Sequence, residues 1–142
     1  MLLLDTNIVS ETMRPHPDAA VMAWLAEQLV ETVHLSTISI AEIHFGLELL
    51  ADDGRQRELR RRFDRFVSQG FMSRLLDFDR AAAVRYGAIQ ASRRNAGRPM
   101  SVPDAQIAAV AQAHDLVLVT RNGKDFDGLD LALVNPFDFD PT

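Results

Sequence analysis

The chain has 142 residues, a formal net charge of -5, 47% hydrophobic and 25% charged side chains. That length suits one domain over residues 1–142, and that apolar content supports a core, which excludes a disordered or low-complexity scaffold. Cysteine is absent, which excludes a disulfide framework, a thiolate zinc site and a cysteine nucleophile, and suits a reducing cytoplasm.

Leu2 to Leu4 forms a short apolar run that predicts a buried strand. The run is too short for a signal peptide, and no stretch reaches the ~20 apolar residues of a membrane span, so a cytoplasmic protein without membrane contact is expected. Asp5-Thr6-Asn7 then supplies turn or cap residues before a short helix that Pro15 and Pro17 close. Asp18 can cap a helix with Val21, Trp24, Leu25 and Leu29 at helical spacing. Val33 to Ser36 predicts a second strand, and Ser39 starts a helix carrying Ile40, Ile43, Leu47 and Leu50.

After Gly54 comes a segment with arginines at 55, 57, 60, 61, 62 and 65, and an apolar stripe of Leu59, Phe63, Phe66 and Val67. Arg74 to Phe78 is a third strand candidate, and Asp79 can cap a long helix to Asn95. A loop over 95–101 leads to an alanine-rich helix, Val102 to His114, and then to the strand Leu116 to Val119. A turn at Asn122-Gly123 precedes the last strand, Leu131 to Val134, which Asn135-Pro136 ends. Strands alternating with helices predict an α/β/α sandwich around a mainly parallel sheet of about five strands.

In such a sheet the active crevice lies beyond the carboxyl ends of the strands. Asp5 follows the first strand, Glu42 sits a turn into the helix after the second, Asp104 opens the alanine-rich helix, and Asn122 and Asp125 follow Thr120. Carboxylates converging on one crevice repel each other unless a cation lies between them. Oxygen ligands without thiolates or paired histidines favour a hard ion, Mg2+ or Mn2+, suited to phosphodiester hydrolysis. Each residue also has a structural reading. Ser39-Ile-Ala-Glu42 has the spacing of a capping box, Ser101-Val-Pro-Asp104 resembles one, Asp5 can cap a helix and Asp125 can belong to a turn. It is the whole set, on one side of the sheet, that points to chemistry.

The segments LLLDTNIVSE, LSTISIAEIHFGL, SVPDAQIAAVA, LVTRNGKDF and VNPF occur in that order along nearly the whole chain. In this the sequence resembles PIN-domain ribonuclease toxins of the VapC/FitB type, from type II toxin–antitoxin modules. The resemblance implies a PIN-like fold and a Mg2+- or Mn2+-dependent endoribonuclease, with Asp5 and Asp104 as principal metal ligands and Glu42 completing the pocket. Asn122 or Asp125 would take the fourth acidic position, with Thr6 and Thr120 supporting the carboxylates or a bound phosphate. The resemblance also implies a cognate antitoxin, an RNA substrate, a homodimer, and a toxin–antitoxin hetero-oligomer on promoter DNA. Ile8, Val9 and Met13 are candidate dimer residues.

The acidic balance argues against binding nucleic acid by bulk charge alone. Arg93, Arg94 and Arg98 lie near the loop before Asp104 and are candidate RNA contacts, while the 55–65 arginines are either a solvated face or phosphate contacts. The alternative reading is a catalytically weak PIN-like module that acts by binding its antitoxin and the promoter DNA complex.

Overall fold

The computed structural model describes residues 1–142. Its strands are β1 (Leu2–Leu4), β2 (Val33–Ser36), β3 (Leu75–Leu76), β4 (Val117–Val119) and β5 (Leu133–Val134). The helices are α1 (Thr6–Thr12), α2 (Ala19–Ala26), α3 (Thr37–Glu48), α4 (Gly54–Gly70), α5 (Arg80–Asn95) and α6 (Val102–Ala113). All strand pairs are parallel, in the order β3-β2-β1-β4-β5. The expected α/β sandwich with five strands is therefore what forms. β3 and β5 are only two residues each, shorter than the strands predicted at 74–78 and 131–134. No helix is long and apolar enough to cross a membrane.

β1 lies in the middle, with Leu2 opposite both Val33 and Val117, and Leu4 opposite Leu35 and Val119. Successive strand side chains point to opposite faces. Leu3 and Leu118 accordingly pack under α5 and α6 with Ala82, Ile89, Ile107 and Phe126. Leu4 and Val119 pack on the other face with Ile8, Val9, Val21, Ile43 and Phe63. A strand buried on both faces must be apolar at every position, which is why the leucine run reads so plainly. Trp24 and Tyr86 each pack against one of these cores.

Three readings are corrected. α3 starts at Thr37, not Ser39: the buried Ser36 at the end of β2 caps it by accepting from the Ser39 amide at 3.2 Å. Leu29 lies beyond the end of α2 and is exposed. Ile8 and Val9 are fully buried in the core, so neither can form a dimer face.

The sheet order reverses between β1 and β4, since successive connections leave β1 toward β2 on one side and reach β4 on the other. Such a switch point opens a crevice at the carboxyl ends of the two strands. The residues that follow them directly are Asp5 and Thr120.

Candidate active site

Asp5 is only 4% exposed and its amide still pairs with the Val119 carbonyl at 2.9 Å, so its position is fixed by the sheet. It caps α1. One carboxylate oxygen, Oδ1, accepts from the Thr6 amide at 2.8 Å. The other, Oδ2, accepts from the Thr120 hydroxyl at 2.8 Å and from the Asn7 side-chain amide at 3.2 Å. Asn7 in turn accepts from the Arg121 amide at 3.3 Å, tying α1 to the segment after β4.

Glu42 is free of any cap, because Ser36 takes that role. The Thr6 hydroxyl donates to its Oε1 at 2.7 Å. Having one proton, that hydroxyl must accept from Ser39, 2.9 Å away. Ser39 thus orients Thr6, which orients Glu42. Asp104 sits in the first turn of α6, where Ser101 caps the helix by accepting from the Asp104 amide at 3.3 Å. The resemblance to a capping box therefore holds for the serine, while the acid stays half-exposed.

These side chains meet in one cleft of about 450 Å³ lined by Asp5, Thr6, Asn7, Ser10, Glu11, Arg14, Glu42, Asp104 and Asn122, none of them hydrophobic. Asp125 does not line it. It lies in the 3₁₀ turn Gly123–Phe126, near enough to raise the pKa of Asp104 by its charge. Of the two candidates for the fourth position, Asn122 is the one at the cleft. Glu11 and Asn7 also belong to the wall, although Asn7 reads in the sequence only as a turn or cap residue and Glu11 only as part of the short helix. Glu11 is buried and serves as a staple, accepting from Arg14 at 3.1 Å and from the Asp18 amide at 3.0 Å.

Arg93, Arg94 and Arg98 do not line the cleft. Arg93 is buried, its Nε donating to the Arg98 carbonyl at 2.7 Å and its Nη1 to the Asp127 carbonyl at 2.6 Å. A guanidinium so engaged is unavailable to RNA, which corrects the reading of Arg93 as a contact. Arg98 pairs with Asp127 at 3.6 Å, and Arg94 is exposed.

The cleft holds more negative charge than it neutralises. Burial raises Asp5 from 3.8 to about 6; the Thr120 and Thr6 hydrogen bonds oppose this, and the charges of Asp104 and Glu42 add to it. Burial also raises Asp104, against the Ser101 hydrogen bond and with the charges of Asp125 and Glu42. The folded protein therefore holds the Asp5 proton to higher pH than the unfolded chain does. Stability from this group is fully present below about pH 4 and is lost as pH rises toward 6. The rise from 3.8 to about 6 corresponds to at most ~3 kcal/mol, reduced by the ~1–3 kcal/mol of an orphaned donor when an amide replaces the carboxylate. Without divalent ions, Asp5→Asn should melt at or a few degrees above wild type at pH 7. It should fall below wild type at pH 4, where wild type holds its proton and the orphaned donor of the mutant remains. Thermal denaturation at both pH values checks this.

A hard divalent ion fits the donor set: oxygen only, with no histidine or thiolate at the cleft. No three histidine, aspartate or glutamate side chains lie close enough to enclose one ion. An ion held here would therefore take one or two of the carboxylates and complete its shell with water.

A parallel five-stranded sheet with acids at its switch point, in this order, is the architecture of a PIN domain. The PIN domain family profile matches residues 2–131, and the chain belongs to that family. Within the family it is of the VapC/FitB type. It is 36% identical over 137 residues to Toxin FitB of Neisseria gonorrhoeae, covering 96% of this chain and 99% of FitB. It is 35% identical over 138 residues to VapC ribonuclease Y4jK of Sinorhizobium fredii, covering 97% and 99% of the two chains. The crystal structure of FitAcB from Neisseria gonorrhoeae superposes with a TM-score of 0.90 at 36% identity, covering 98% of this chain and 100% of that one. A second neighbour, FitAB bound to a DNA fragment, gives a TM-score of 0.90 at 35% identity over 99% and 98% of the chains.

Proposed function

We propose that this chain, acting as one domain over residues 1–142, is the toxin of a type II toxin–antitoxin module and a Mg2+- or Mn2+-dependent endoribonuclease of the cytoplasm. The observation that carries the reading is the convergence of Asp5, Glu42 and Asp104 on one cleft at the sheet's switch point, with no hydrophobic side chain in its lining.

Asp5 and Asp104 would hold the ion, with Glu42 and Asn122 contributing directly or through water. The ion, when bound, would polarise the scissile phosphate and stabilise the charge that develops during hydrolysis. Asp5 has both oxygens fixed by donors from three residues, which orients the carboxylate and leaves an acceptor site on Oδ1 for a ligand. Glu42, oriented through Thr6 and Ser39, would accept a proton from the attacking water.

The relatives support the partners as well as the activity. FitAB and the VapBC proteins of Rickettsia felis and Salmonella typhimurium were solved bound to DNA. By likeness, this chain would bind a small cognate antitoxin, form a homodimer and join the antitoxin on promoter DNA. Purified antitoxin-free protein should cut RNA only when a divalent ion is present. Folded, ion-loaded protein that leaves every RNA intact would favour the binding-module reading instead.

A further inference from the structure

The acidic cleft continues beyond Glu42. Thr6, Ser10, Arg14 and Glu42 also line a second cavity, of about 500 Å³, between α1, α3 and α4. Arg62 belongs to that cavity and to a further one, of about 430 Å³, along the second half of α4. Sharing lining residues, the three cavities follow one another from the carboxylates along α4 and are taken together as a trench.

The six arginines of α4 divide sharply along this trench. Arg57, Arg60 and Arg61 are paired, with Asp52 at 3.4 Å, Glu48 at 2.6 Å and Glu58 at 2.9 Å. Arg55, Arg62 and Arg65 are exposed and have no acidic partner, and all three line the trench. Glu58 is the one acid that α4 presents there, and Arg61 already neutralises it. The spacing of seven and then three residues keeps the free arginines on one helix face. In a protein of net charge -5, an unneutralised cationic row beside an anionic cleft calls for an anionic chain as its ligand.

We infer that a single RNA strand lies in this trench, its phosphates held by Arg55, Arg62 and Arg65, with one phosphate delivered to the carboxylates. This deepens the ribonuclease reading and rests on it. From Arg55 to Arg65 the helix rises about 15 Å, a span of about four stacked nucleotides at ~3.4 Å each. Met13, Ile43, Leu47 and Leu59 contribute apolar surface to the lining of the middle cavity. Arg14, shared by both cavities and held by Glu11, stands where the trench meets the acids.

The test measures binding of a labelled, mixed-sequence RNA of about 12 nucleotides to the full chain carrying Asp5→Asn, so that the strand is not cut. One variant adds Arg55→Gln, Arg62→Gln and Arg65→Gln. Its control adds Arg57→Gln, Arg60→Gln and Arg80→Gln, the same change in arginine count at positions outside the trench. Three lost phosphate contacts should lower the slope of log affinity against log salt by about 2, which is about a 100-fold loss at 0.1 M salt. The control should change little. Equal losses in both would reduce the effect to bulk charge and overturn the inference. Unchanged affinity in the first variant would overturn it too, and hand the trench to a protein partner. Cleavage by wild type is measured alongside. If wild type cuts nothing while only the first variant loses RNA, the ribonuclease reading fails and the trench stands.

Discussion

Asp5→Asn is expected to lower the rate of RNA cleavage by at least about a thousandfold, with the protein folded and melting no lower than wild type at pH 7. The substitution keeps the shape of the side chain and removes its charge. A ligand whose loss forfeits several kcal/mol of transition-state stabilisation costs a factor of ten for each ~1.4 kcal/mol. The structural cost runs the other way, because the carboxylate is buried and its ionisation at neutral pH is opposed. Activity and stability should thus move in opposite directions. Single-turnover cleavage and a melting curve on the same preparation check both. A mutant that lost activity only by unfolding would contradict the assignment of Asp5 as a ligand.

Arg93→Met should destabilise the protein by about 2–4 kcal/mol without changing how it cuts RNA. Methionine retains the apolar stem, but the Arg98 and Asp127 carbonyls lose their charged donor, and each orphaned group costs ~1–3 kcal/mol. Those two carbonyls belong to the loop before α6 and to the segment after the 3₁₀ turn at 123–126. Arg93 therefore fastens the flank of Asp104 rather than greeting substrate. Denaturant unfolding measures the loss, and cleavage assayed well below the melting temperature should remain near the wild-type rate. A large drop in RNA affinity in the folded variant would return Arg93 to the surface contacts.

The layers and the place of the site were legible in the sequence because both depend on local pattern. β1 and β4 are apolar at every position, as strands covered on both faces must be, and the polar residues that end them mark the mouth of the sheet. Asp5 and Thr120 could be placed there from order alone. The cap of α3 could not. Ser36 and Ser39 are three residues apart, and only the burial of Ser36 at the end of β2 decides between them. That choice matters, since it frees Glu42 from a capping role and leaves it to Thr6.

Long-range geometry was hidden for a different reason. The buried state of Arg93 depends on a loop more than thirty residues away, which periodicity cannot report. Likewise the arginines of α4 look alike in sequence. Arg61 finds Glu58 within α4, but Arg57 and Arg60 join the paired set only once α3 and its following turn bring Glu48 and Asp52 alongside. Asn122 and Asp125 were both candidates for one position, and the 3₁₀ turn carries the second away from the cleft.

The most direct test is cleavage of mixed total RNA by antitoxin-free protein with Mg2+, with Mn2+, or with a chelator. Discrete cutting is expected with either ion, abolished by the chelator and restored by adding the ion back. Cutting that persists in excess chelator would contradict a metal-dependent site, because the acids of the cleft would then be acting without the cation their repulsion calls for.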